Sequence, residues 1–202
     1  MKAFPVKQIR APDECSLTGR FVCNPSIPLT PRIWFGLGFD IGPIELRQRT
    51  PSPIESRILL GGLAFEERDW RRMTGRFGPF PDVGASSVYV CDRHVPIDVL
   101  ALELEPPVKN RFRARLDLAI AFETCTDFKD ARVSLATTLR FDGLSLATSF
   151  LRGSKALPPK AWGLPEHFDV DSVRTFLERF VDTSLYDAEE RRPGFFALTP
   201  RT

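Results

Sequence analysis

RVSLATTLRFDGLSLATSFL, residues 132–151, decides how the chain is read. Val133, Leu135, Leu139 and Phe141 share one parity, and Leu144, Leu146 and Phe150 share the other. Each half alternates as a half-buried β-strand does. The parity changes at Asp142-Gly143, a dipeptide suited to a type I′ turn because both residues tolerate positive φ. The expectation is a two-residue hairpin pairing Phe141 with Leu144, Leu139 with Leu146 and Leu135 with Phe150. All the large apolar side chains then fall on one face.

Upstream, RFRARLDLAIAFE (111–123) alternates in the same way. Phe112, Ala114, Leu116, Leu118, Ile120 and Phe122 oppose Arg111, Arg113, Arg115, Asp117, Ala119, Ala121 and Glu123. Closing the loop at 124–131 symmetrically pairs Phe122 with Val133, Ile120 with Leu135 and Leu116 with Leu139. It also sets Arg115 opposite Arg140, a like-charge contact that calls for an anion or carboxylate nearby. The three strands form a meander with one apolar face, and such a face needs a covering layer.

Downstream, DVDSVRTFLERFVDTSL (169–185) supplies a cover. Val173, Phe176, Leu177, Phe180 and Val181 recur at i, i+3, i+4, i+7 and i+8, one stripe of an amphipathic helix over 170–185. Asp169 or Asp171 can cap its start. KALPPKAWGLPEHF before it reads as a Pro-rich crossover. Residues 186–202 read as a tail in which Phe195, Phe196 and Leu198 suit a short edge strand.

Toward the N-terminus, strands are expected in RIWFGLGF (32–39), PIELRQR (43–49), RILLGGLAF (57–65), SSVYVC (86–91) and VPIDVLALELE (95–105). Gly61-Gly62 marks a bulge or a close backbone approach. Residues 95–105 alternate imperfectly and look apolar on both faces, as in a covered central strand. EERDWRRM (66–73) fits a helical turn or a strand end. Residues 1–31 carry Pro5, Pro12, Pro25, Pro28 and Pro31 and read as an extended N-terminal arm. The fold class is therefore a single α+β domain over 1–202. A long curled antiparallel sheet (32–151), with its hairpin at Asp142-Gly143, is covered by the C-terminal helix. In outline the sheet-then-helix order resembles helix-grip ligand-binding folds.

Composition narrows function mainly by exclusion. The 202 residues are 43% hydrophobic and 27% charged, enough for an ordinary core. Lys+Arg 28 against Asp+Glu 26 leaves a net charge of +2, which favours no polyanion. No secretory h-region and no membrane-length apolar run is visible, so a cytoplasmic protein without membrane contact is expected. Cys15, Cys23, Cys91 and Cys125 form no C-x-x-C pair, which suits reduced thiols and argues against zinc. The two histidines are His94, on a turn beside Cys91 and Asp92, and His167, ahead of the helix. Neither sits in a metal or nucleophile motif. Gly143-Leu144-Ser145-Leu146-Ala147 lacks the strand-to-helix turn of a nucleophile elbow. GFDIG, LLGGL and FLRGSK match neither dinucleotide nor Walker spacing. No catalytic residue, metal or cofactor is expected, and the chain reads as non-enzymatic.

Two surfaces remain. RDWRRMTGRFGPFP (68–81) interleaves aromatics with arginines, the usual anchors of protein interfaces. Trp70, Arg71, Arg72, Arg76, Phe77 and Phe80 are its candidate partner-binding residues. The competing placement tucks the aromatics into the core and leaves the arginines in water. Glu66, Glu67 and Asp69 next door disfavour nucleic acid. The second surface is the outer face of the meander, where Arg113, Arg115 and Arg140 flank small residues such as Ser134, Ala136 and Thr138. Small side chains there let another chain approach closely. The expected function is a non-catalytic, cytosolic protein-binding domain of inhibitor or immunity type that neutralises an enzyme partner. The alternative is a pocket for a small apolar ligand between sheet and helix. A carboxylate-dependent hydrolase is a third reading.

Overall fold

A computed structural model describes residues 1–22, 32–41, 56–80, 86–90, 93–124, 126–148, 165 and 167–202. The strands are β1 (Glu14–Val22), β2 (Arg32–Ile41), β3 (Ser56–Leu63), β4 (Gly75–Phe77), β5 (Ser87–Val90), β6 (Arg93–Leu104), β7 (Arg111–Ile120), β8 (Ala131–Ala147), β9 (Tyr186–Arg192) and β10 (Phe195–Pro200). Among the described residues one short α-helix, α1 (Val170–Leu177), joins them. The expected strand at 43–49, Phe150, and Cys23, Cys91 and Cys125 lie outside the described residues.

The structure is mostly β, and its sheet curls until it closes. β1, β2, β3, β5, β6, β7 and β8 follow one another antiparallel, and β8 then pairs with β1 to complete a seven-stranded barrel. An up-and-down ring with an odd number of strands must bring its first and last strands together pointing the same way. The β1–β8 seam is accordingly the one parallel pairing among the described strands. The expected curled antiparallel sheet is thus present, and its closure into a barrel goes beyond that expectation. This closure also corrects the N-terminal arm, because residues 14–22 supply the strand that closes the wall. Cys15, Leu17, Gly19 and Phe21 alternate inward there.

The parity change at Asp142-Gly143 is real, but it is not a hairpin. β8 runs straight through it as one strand of 17 residues. Against β1, Leu17 pairs with Phe141 and Thr18 with Gly143, so Asp142 is the extra residue of a β-bulge. A bulge shifts the inward set from odd to even numbers, just as a two-residue turn would. Val133, Leu135, Leu139 and Phe141 and then Leu144 and Leu146 are all buried. The pairings expected across a turn are therefore absent. In their place β8 meets β7 along its first half and β10 along its last residues.

The same device recurs. On β3, Gly61 and Gly62 together oppose Gly36 of β2, the bulge expected at that dipeptide. On β6, Leu100 is extra between Val99 and Ala101, and the inward set passes from Ile97 and Val99 to Leu102 and Leu104. That shift explains the imperfect alternation of 95–105. Ala101 is nonetheless 1% exposed, with the Gly78 backbone close beside its Cα.

The inward parity of β7 is as expected, but its register on β8 differs. Ile120 faces Ala131, Leu116 faces Leu135 and Phe112 faces Leu139. The connection is longer than a symmetric closure assumes. Phe122 leaves the strand in a 3-10 turn and stacks on Phe4 at 4.0 Å between ring centroids. Phe4, Phe122 and Phe128 thus close one end of the barrel.

At the other end sit α1 and the C-terminal hairpin. Asp169 caps α1 through a capping box with Ser172. Val173, Phe176 and Leu177 are buried, and Phe176 packs edge-on against Phe21 at 5.0 Å. The helix is shorter than expected and ends at Leu177. Beyond it the Asp182 N–H donates to the Arg68 carbonyl, and the Asp182 carboxylate caps a 3-10 turn at Thr183–Leu185. Val181 stays buried and Phe180 half-buried without helical continuation. The short strand expected at Phe195, Phe196 and Leu198 is β10, which extends the β8 edge, and the rest of the expected tail supplies β9, its hairpin partner.

Candidate functional site

The segment after β3 contributes Trp70 and Met73 to the core and several side chains to the surface. Asp69 caps the Trp70–Arg72 3-10 turn by accepting from the Arg71 backbone N–H at 2.9 Å. The turn drives the Trp70 ring into the barrel, 5.6 Å from Phe141 and 6.4 Å from Phe112. Trp70 is 2% exposed, so it offers no surface to a partner. Of the proposed contact residues, Arg71, Arg72 and Arg76 are exposed. Phe77 and Phe80 are half-buried, packed around Phe65 at 4.9 and 6.0 Å. Arg71 is turned back in a two-pronged hydrogen bond to Asp69.

β4 carries Arg76 onto the edge of β6, and this joins the two surfaces that the sequence presents as separate. Arg76 faces Glu103, Glu103 faces Arg115, and Arg115 faces Ala136 across four successive strands. In the next row Arg113 faces Thr138. The result is an open trough of about 750 Å³ bordered by Arg76, Arg113 and Arg115 on one side of an Ala136–Thr138 floor. Arg76 is tied to Glu103 and lies 3.6 Å from Asp117. Arg113 and Arg115 are looser, with carboxylates at 4.0 and 3.7 Å and no hydrogen bond from either guanidinium to a described residue.

Arg140 is not part of the trough. It stands opposite Arg111 rather than Arg115, and the carboxylate such a pair demands is Glu14 from β1. Glu14 accepts from Arg111 at 2.7 Å and from Arg140 at 2.9 Å. Asp142, the bulge residue, accepts from Arg140 and from Ser16. The acids of these networks, Glu14, Asp117 and Asp142, belong to the surface as much as the arginines do. Only the Arg–Arg pairing hinted at them in the sequence.

Ionisation follows these contacts. The Arg111 hydrogen bond holds Glu14 below its ordinary pKa, and that from Arg140 does the same for Asp142. Asp117 is lowered chiefly by the Ser134 hydroxyl, and Asp69 by Arg71. Burial pushes the Tyr186 phenol and the Cys15 thiol upward. Each lowered carboxylate binds protons less readily folded than unfolded. Its stabilisation is present above the unfolded value of about 4 and is lost as pH falls through the folded value. The urea midpoint should therefore be flat from about pH 7 to pH 5 and drop steadily below about pH 4. A midpoint unchanged in acid would contradict these networks.

The remaining chemistry is sparse. Ser87 Oγ on β5 lies 3.2 Å from His94 Nδ1 on β6, with the Tyr89 ring beside the imidazole. His167 contributes its carbonyl oxygen to the Ser172 hydroxyl. Among the described residues no group of three or more His, Cys, Asp or Glu side chains is placed to hold a metal. No described helix is long and apolar enough to cross a membrane. A second open depression, of about 930 Å³, lies between the 66–72 segment and α1, with Arg72 among its mixed-charge lining. Comparison with protein-family models, curated proteins and solved structures finds no match.

Proposed function

We propose that this chain is a non-catalytic protein-binding domain of inhibitor or immunity type, and that its contact surface is the Arg76–Arg113–Arg115 trough. The observation that carries this reading is the convergence of Arg76 with Arg113 and Arg115 over a floor of small side chains. Exposed arginine is among the residue types enriched where proteins anchor a partner. Packing weighs against the apolar-pocket alternative. Trp70, Phe112, Phe141 and Tyr186 fill the barrel where a ligand would sit.

The test is affinity capture from the native host, read by mass spectrometry, with wild type, Arg113→Glu/Arg115→Glu and Arg72→Glu. Support is an enzyme captured by wild type and by Arg72→Glu, lost with the double variant, and inhibited by added purified domain. Equal capture by the double variant removes the trough from the function.

A further inference from the structure

We infer that the trough accepts an extended acidic segment of a protein partner, with carboxylates at alternate positions engaging Arg113 and Arg115. This rests on the protein-binding reading and adds the chemistry of what is bound. Arg113 and Arg115 stand two residues apart on β7, so both point outward on one face. Their side chains are 83% and 60% exposed, and neither guanidinium donates a hydrogen bond to a described residue. A guanidinium presents five N–H donors in a planar fork that matches a carboxylate. Two such forks on one strand face therefore stand largely unused.

The surrounding rows say where the acceptors belong. On the β6 side Glu103 and Glu105 occupy the space next to the arginines. On the β8 side the same rows hold Ala136 and Thr138, which are small and uncharged. On the β6 flank carboxylates thus accompany both arginine rows, whereas on the β8 flank Asp13 and Glu14 border only the Thr138 end, and Glu14 is already held by Arg111 and Arg140. Alternate residues of an extended strand are about 6.7 Å apart. An extended partner segment laid over Ala136 and Thr138 repeats that spacing, so acids at its i and i+2 positions meet Arg115 and Arg113 together. A nucleic-acid strand fits less well, because its unbroken charge would run against Glu103, Glu105 and Asp13 on the trough rim.

The probe is a short fluorescein-labelled peptide in which Glu and Thr alternate, followed by anisotropy against the full chain. Controls are a peptide of equal composition with its glutamates in one block, and a labelled oligothymidylate. Saturable binding of the alternating peptide is expected, tighter than the block peptide by about fivefold and weakened about tenfold by Arg113→Ala/Arg115→Ala. Arg72→Ala should leave it unchanged, and added salt should weaken it. Both arginines are exposed, so the double variant should keep the wild-type urea midpoint. Equal affinity for the block peptide, tighter binding of oligothymidylate, an unaffected double variant or no saturable binding each overturns the inference. If the peptide fails while capture of the host enzyme still depends on Arg113 and Arg115, the protein-binding reading stands and the acidic-segment chemistry falls.

Discussion

Trp70→Ala is expected to destabilise the barrel by about 3–5 kcal/mol, the range for removing a large aromatic from a filled core. Against a typical domain stability of about 5–15 kcal/mol, that loss is a large share of the total. Trp70 lies between Phe112 and Phe141, on opposite sides of the β7–β8 pairing, and plugs the barrel end where Tyr186 also enters. No neighbour can collapse into the space, because the wall around it is a closed hydrogen-bonded ring. The indole Nε1 has no hydrogen-bond partner among the described residues, so Trp70→Phe forfeits no polar contact with them and should cost less than alanine. Urea unfolding followed by circular dichroism measures both. A Trp70→Ala loss under about 1 kcal/mol, as for ordinary surface changes, would mean that the ring is not a core plug.

Gly143→Ala should rank close behind. Gly143 has φ +106°, a region that L side chains rarely adopt, and the strain costs about 1–3 kcal/mol. A Cβ there would also overlap the Leu198 carbonyl oxygen of β10 and crowd the Pro200 ring. Backbone cannot swing aside as a flexible side chain does, so a further ~1–3 kcal/mol is expected from overpacking. The same substitution in an exposed hairpin turn would bring only the conformational part. A loss larger than about 3 kcal/mol in urea therefore distinguishes a bulge pressed against β10 from a free turn. Proteolysis within 195–202 should also increase, because β10 is the element displaced.

Much of the wall was legible locally. The inward faces of β7 and β8, the bulge at Gly61-Gly62 and the Asp169 cap all follow from side-chain periodicity and backbone tolerance in a few consecutive residues. The Trp70 plug was less so. A tryptophan among arginines suits an interface or a core equally, and the choice depends on whether a cavity of matching size lies within reach. Arg113 and Arg115 were visible as exposed strand residues. Their meeting with Arg76 was not, since it depends on β4 reaching the β6 edge across a long sequence separation.

What residues 132–151 determine by themselves is a parity switch at Asp142-Gly143, which keeps all the oily side chains on one side. A turn and a bulge satisfy that switch equally well, because each displaces the alternation by one position. The choice falls to the rest of the molecule. β1 lies alongside β8 in parallel and β10 takes up its far end, so a continuous strand finds backbone partners that a reversed one would leave unmet. Closure of the barrel is therefore a tertiary decision, made by strands distant in the chain, while the direction each side chain faces is a local one.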